Sequence, residues 1–175
     1  MTTITISGFP GSGKTTVSEI LKEKIGLNYI YSGDIFRNKA QEYKMSLEEF
    51  GKYCEKNPEI DRELDDFQLK ILKKGDVIVE GRIAGWIAYK NNIPSVKILL
   101  TADLQTRAER IVKRERGDIN YRKKEILKRE KSENLRYKKY YDIDMNETSI
   151  YDLIIDTSNK TPEEIVNIIL NKIKK

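Results

Sequence analysis

The chain has 175 residues, enough for one well-filled core, and its 38% hydrophobic and 35% charged residues describe a globular protein. No apolar run approaches the roughly 20 residues of a membrane helix, and with no histidine the chain is excluded from imidazole acid–base catalysis and histidine metal sites. A net charge of +5 and a pI near 9.1 favour anionic ligands, whether phosphorylated small molecules or nucleic acid. The one cysteine, Cys54, excludes an internal disulfide and reads as a structural thiol in a reducing cytoplasm. A single domain over residues 1–175 is expected, with no signal peptide ahead of the first strand.

In chain order, Thr3-Ile4-Thr5-Ile6 is a β-branched run that predicts a strand, and residues 16–25 carry apolar side chains at helical spacing. Between them, Gly8-Phe9-Pro10-Gly11-Ser12-Gly13-Lys14-Thr15 fills the phosphate-binding pattern G-x-x-x-x-G-K-S/T, with Thr16 after it. Glycines at 8, 11 and 13 let successive backbone N–H groups turn inward around phosphate oxygens. Lys14 then bridges the outer phosphates and the Thr15 hydroxyl binds magnesium, while the following helix points its positive end at the same anion. A nucleoside triphosphate with Mg2+ is the implied ligand, and ATP the implied donor.

Residues 27–31 predict a second strand, which Ser32-Gly33-Asp34 ends ahead of a helix carrying Ile35, Phe36 and Arg37. Ser46-Leu47-Glu48-Glu49 has the form of a capping box, so residues 34–74 are expected to be mainly helical. Strands follow at 76–80, 96–100 and 151–156. The polar stretch 103–146 keeps helix periodicity at Ile111, Ile126 and Leu135, and Thr161-Pro162-Glu163-Glu164 opens a last helix. Strands alternating with helices imply a parallel sheet covered on both faces, with ligands at the carboxyl ends of the strands. The phosphate loop, Ser32 to Asp34, Gly81-Arg82 and Thr101 to Asp103 each follow a predicted strand, so four strand ends should converge on one crevice.

A switch GTPase would need Asp-x-x-Gly after its third strand and a later Asn-Lys-x-Asp, and the chain has neither. Arginine is instead abundant after the strands, at 37, 82, 107, 110, 114, 116, 122, 129 and 136. Its planar fork suits phosphate. Transfer between two phosphorylated substrates needs such charge, because phosphoryl transfer asks a protein chiefly for positioning and neutralisation.

The segments G-F-P-G-S-G-K-T-T, Y-S-G-D-I-F-R, E-G-R-I-A-G-W, R-A-E-R-I-V-K-R-E and R-Y-K-K-Y-Y-D-I-D with I-Y-D-L-I-I-D-T, in that order, resemble the short cytidylate kinases of archaea, within the nucleoside monophosphate kinases. The resemblance covers essentially the whole chain. It implies a three-layer α/β P-loop fold with a five-stranded parallel sheet, a short helical acceptor-binding segment at about 33–74 and a short lid at about 113–122. It also implies a cytoplasmic monomer acting on ATP and on CMP or dCMP, with neither a membrane nor a nucleic-acid partner. Ser32 and Asp34 would face the acceptor nucleoside; Arg37 and Arg82 would hold its phosphate, with Arg129 and Arg136 reaching the same ligand from one helix face. Arg110 would lie against the ATP base with Asp156, Thr157 and Ser158 near the adenine. Arg114 would sit by the moving phosphoryl group and Arg116 on the lid, so Lys14, Arg37, Arg82 and Arg114 form the implied catalytic set. The acceptor region is shorter than in many bacterial relatives, which leaves the cytosine contacts open.

Plainer readings stand beside these. Ser32 and Asp34 are also good helix caps, Arg37 a solvated helix residue, and Arg82 a strand-end residue. Arg107, Arg110, Arg114 and Arg116 form a charged face that pairs with Glu109 and Glu115, Arg107 first among them; Arg129 and Arg136 sit on a Lys-rich helix of the kind that is often solvated. Trp86, Tyr137, Tyr140 and Tyr141 read as packing residues. A kinase for AMP, UMP or a phosphorylated cofactor precursor shares most of these features, and the basic segment 107–139 with its tyrosines also fits an RNA-binding protein.

Overall fold

The β-branched runs become five strands in a computed structural model that describes residues 2–174. In chain order the elements are β1 (Ile4–Ser7), α1 (Lys14–Ile25), β2 (Asn28–Tyr31), α2 (Ser32–Glu42), α3 (Leu47–Lys56), α4 (Pro58–Lys74), β3 (Val77–Glu80), α5 (Ala84–Lys90), β4 (Val96–Thr101), α6 (Leu104–Glu115), α7 (Ile119–Tyr141), β5 (Leu153–Asp156) and α8 (Pro162–Ile173). Every strand pair is parallel, in the order β2-β3-β1-β4-β5, with Ile4 opposite both Ile78 and Val96. The sheet grows to one side of β1 through β3 and β2 and to the other through β4 and β5. The loop after β1 therefore lies where strand order reverses, the place where open α/β sheets hold ligands.

Strand side chains alternate between two apolar layers. Ile4, Ile6, Ile78, Ile98, Leu100 and Ile155 meet Val17 and Leu21 of α1 and Ile165 and Ile169 of α8. On the other face Val77 and Val79 meet Leu72 of α4, Trp86 and Ile87 of α5 and Tyr137 of α7. Trp86 and Tyr137 are packing residues as expected, Tyr141 lies against the same cluster, and the Tyr140 hydroxyl donates to the carbonyls of Cys54 and Glu55 at 2.9 and 2.6 Å.

The segment 33–74 folds as α2, α3 and α4 around its own small cluster of Ala40, Phe50, Cys54 and Ile60. Ser46 accepts from the Glu49 N–H and Glu49 reaches back to the Ser46 N–H, and Thr161 with Glu164 does the same at α8. Burial pushes the Cys54 thiol up to about 12, which fits a structural role. One expectation fails, and one apolar residue of the periodic stretch stands outside the core. Ser32 does not precede α2 but is its first residue, and its hydroxyl is buried with no hydrogen-bond partner, so it caps nothing. Leu135 does not join Ile111 and Ile126 in the core; it stays exposed on the side of α7 that faces a cavity.

Candidate active site

The loop after β1 is closed to side chains at its glycines. Gly8 has φ 152° and a Cβ there would lie 2.4 Å from the Leu100 carbonyl oxygen; at Gly11, φ 78°, it would lie 2.6 Å from that of Arg107. The backbone is pressed against α6 and β4, which leaves its N–H side to a ligand. Lys14 opens α1 and is buried, and its ammonium donates to the Phe9 carbonyl at 3.0 Å. Burial first, then the charge of Arg82, holds its pKa well below that of an ordinary lysine. Phosphate charge would reverse that cost.

Thr15 is the next residue, and its hydroxyl donates to Glu80 Oε1 at 3.1 Å. Glu80 ends β3 fully buried, and its other oxygen accepts from the Tyr29 hydroxyl at 2.5 Å. Two hard oxygen ligands thus sit side by side at the head of α1, the donor type that magnesium takes. Among the described residues no group of three or more His, Cys, Asp or Glu could hold a metal ion. A cation at Thr15 and Glu80 would complete its shell from phosphate oxygens and water, which is how Mg2+ binds in phosphoryl-transfer sites.

Arg82, just past β3, donates from Nε to Glu133 Oε2 at 2.8 Å and from Nη1 to the Gly8 carbonyl at 3.1 Å. Glu133 on α7 also accepts from Arg129 Nε at 2.9 Å. Burial opposes its charge, but Arg82 and Arg129 outweigh burial and hold its carboxylate below the usual range. Arg37 projects from α2 with its guanidinium 3.9 Å from Asp34 and 5.8 Å from the Tyr31 ring centre. Arg136 is buried and paired with Asp61 at 2.7 Å. Neither Arg129 nor Arg136 is a solvated residue of a polar helix. Asp34 does not cap α2, whose N-cap, Tyr31, receives no side-chain hydrogen bond.

A cavity of about 980 Å³ joins these groups. Its wall runs from Lys14, Thr15 and Thr16 past Arg37, Glu80 and Arg82 to Arg129 and Arg136, with Arg114 near the end of α6. Pro10, Gly11 and Gly13 complete the loop side. Ser32, Asp34, Arg110, Arg116 and Asp156 to Ser158 are not among its described lining residues. Thr101 to Asp103 are not either, so of the four expected clusters only the phosphate loop and Arg82 line it, while β2 reaches it through Tyr31 rather than through Ser32 to Asp34. Arg110 instead holds the back of the loop, donating to the Gly11 carbonyl at 3.2 Å, Thr157 Oγ1 at 2.9 Å and the Thr157 carbonyl at 2.7 Å. Thr157 is fully buried and donates in turn to the Ser12 carbonyl at 3.0 Å, and Ser158 bonds Asp156. Arg116 sits at the corner between α6 and α7 with φ 62°, its carbonyl accepting from Arg122.

Three residues escaped the sequence reading. Arg107 is not a surface residue paired with Glu109 and Glu115: it is buried, bonds Glu130, and lies 5.6 Å from the Phe9 ring centre beneath the loop. Glu80 had a usable signal, an acid ending a β-branched strand at the ligand edge of the sheet. Glu133 had one too, four residues after Arg129 on one helix face.

The profile of the cytidylate kinase-like family matches residues 3–159. The chain belongs to this family. It is 47% identical to the cytidylate kinase of Methanocaldococcus jannaschii over 97% of this chain and 96% of that one. It is 48% identical to the cytidylate kinase of Pyrococcus horikoshii over 95% of this chain and 85% of that one. Among solved structures, an uncharacterised protein of Eubacterium ventriosum superposes with TM-score 0.73 at 17% identity, covering 100% and 99% of the two chains. A shikimate kinase of Acinetobacter baumannii does so with TM-score 0.62 at 17% identity, covering 99% and 93%. Those two likenesses speak for the fold, which the family shares with other small P-loop kinases. No described helix is long and apolar enough to cross a membrane.

Proposed function

We propose that the chain transfers the γ-phosphoryl group of ATP to CMP, and to dCMP, with Mg2+, giving ADP and the cytidine diphosphate. The observation that carries the reading is one cavity joining the phosphate loop at Lys14 and Thr15 to a second cationic group at Arg37, Arg82 and Arg129. One anion requires the first set; an acceptor that is itself a phosphate requires the second. The match to cytidylate kinases over nearly the full chain supplies the base. Magnesium, held through Thr15 and Glu80, would supply charge neutralisation between the outer phosphates.

The chain's own residues do the rest. Lys14 and the loop N–H groups hold the donor phosphates, and Arg82 and Arg37 hold the acceptor phosphate and offset its repulsion from the moving group. Arg114, at the end of α6, is placed to follow the transferred phosphoryl, and the corner 116–118 with its flanking turns is the proposed lid. No general base is needed, because a nucleoside phosphate is largely ionised at neutral pH. A single catalytic domain, monomeric and cytoplasmic, fits two small soluble substrates.

Measuring ADP release from MgATP with CMP, dCMP, UMP, AMP or GMP tests the proposal. Fast release with CMP and dCMP supports it. Preference for another acceptor would keep the mechanism and reassign the pocket, and release without any acceptor would leave only a triphosphatase.

A further inference from the structure

The cavity continues past its cationic end into a cleft between α3 and α7, where three polar groups form a row. Glu55 Oε1 accepts from the Ser132 hydroxyl at 2.6 Å, and Ser132 Oγ accepts from Arg136 Nη1 at 2.8 Å. All three line the cavity, and so does Phe36, whose ring centre is 5.9 Å from the Arg136 guanidinium. Gly51 brings the α3 backbone alongside the row: a Cβ there would lie in ordinary contact, 3.6 Å from both Ser132 Oγ and Arg136 Nη1. Arg136 is fixed from behind by the buried Asp61 at 2.7 Å and donates also to the Gly51 carbonyl. Ser132 and Arg136 stand on the same helix as Arg129 and Glu133, so a ligand with its phosphate at Arg82 and Arg129 would reach the row with its far end.

We infer that Glu55, Ser132 and Arg136 read the cytosine edge of the acceptor, with Glu55 setting the preference for cytosine over uracil; this deepens the cytidylate kinase reading and rests on it. The row runs acceptor, hydroxyl, donor. Cytosine presents an amino donor, a ring-nitrogen acceptor and a carbonyl acceptor along one edge, the complementary order. Its amino group donates to Glu55, the Ser132 hydroxyl turns from Glu55 to the ring nitrogen, and Arg136 donates to the carbonyl. One internal bond is exchanged for base contacts and no polar group is left alone. Uracil places a carbonyl oxygen against the Glu55 carboxylate, and neither group has a proton to share. A site built to hydrogen-bond one group rejects the analogue that cannot supply it. Phe36 would flank the ring plane.

The test compares kcat/KM for CMP and UMP, at saturating MgATP, in the wild type, Glu55→Gln and Ser132→Ala. Glutamine can turn its amide N–H2 toward a uracil carbonyl. Glu55→Gln should therefore lower the CMP to UMP ratio roughly 10- to 100-fold, mostly through KM, with the KM for ATP unchanged. Ser132→Ala should weaken both pyrimidines about equally, since its hydroxyl can serve either ring nitrogen. An unaltered ratio in Glu55→Gln, with thermal melting as in the wild type, overturns the inference and leaves the kinase reading standing. A wild type that turns over no CMP removes both. If Glu55→Gln melts early, CMP and UMP competition for the folded enzyme at low temperature gives the same ratio and decides in the same way.

Discussion

Arg82 is the residue on which catalysis and stability are easiest to confuse, so Arg82→Ala is worth following through. Its guanidinium bonds Glu133 and the Gly8 carbonyl at once. Removal would strip Glu133 Oε2 of its partner while Arg129 still holds Oε1. Breaking a buried ion pair outright costs about 3–5 kcal/mol. With Arg129 in place the loss should be nearer 2 kcal/mol, the range of one charged hydrogen bond. For a chain of this size that lowers Tm by roughly 4–8 °C. Turnover should suffer more, because a lost cationic clamp on the phosphoryl group costs about 10³-fold, or about 4 kcal/mol. The KM for ATP should change less than about tenfold, since only the neutral Gly8 contact is lost on the donor side. Arg82→Gln separates the two effects. Its amide can still donate to Glu133, whose charge Arg129 continues to balance, so it should recover several degrees of Tm over Arg82→Ala but, being neutral, no transfer activity, in melts and coupled ADP-release assays run on one preparation. Recovery of activity along with Tm would refute the placement of Arg82 on phosphate and make it a structural residue.

Glu80→Gln should raise the Mg2+ concentration for half-maximal rate by about 10-fold or more, with metal-free ATP binding unchanged; an unchanged Mg2+ requirement would detach Glu80 from the cation. Lys14 must be protonated to hold phosphate, and its pKa in the free protein is lowered by burial and by Arg82. The kcat/KM for ATP should therefore fall, as pH rises, below the ordinary lysine value of about 10.4, and Lys14→Arg should lose that limb; a limb at or above the ordinary value would contradict the burial argument. The Asp65 carboxyl, with Oδ2 out of contact with water and unpartnered, is pushed by burial to about 7. The folded state then keeps a proton that the unfolded chain has released, so stability falls as pH rises from about 4 to 7. Asp65→Asn should gain on the order of 2–4 kcal/mol at pH 8 relative to its effect at pH 4, read by denaturant melts; a gain independent of pH would remove the titration from the explanation.

The phosphate loop and the sheet were legible because their signals are local. Glycine, lysine and threonine spacing defines the loop, and alternating Ile4, Ile6, Val77 and Val79 define which strand faces are buried. Ser32 was misplaced by one step: a serine after a strand looks like a cap, but Tyr31, still extended, holds the cap position, the helix begins at Ser32 itself, and the Ser32 hydroxyl is buried without a partner. Leu135 carries the helix periodicity the sequence shows but not the burial of Ile111 and Ile126, because α7 borders a cavity on that side and has no layer there to cover it. The arginines show the deeper limit. Counting them as free donors to phosphate ignores that a buried cation requires a counter-charge in the empty protein. Arg82 finds it 51 residues away in Glu133, and Arg136 finds it 75 residues away in Asp61, separations no motif spans. The acids decide what each arginine is for. Glu133 balances two guanidiniums with one charge and so leaves the pair cationic toward a phosphate, whereas Asp61 neutralises Arg136 one to one and leaves it a hydrogen-bond donor suited to a neutral base edge.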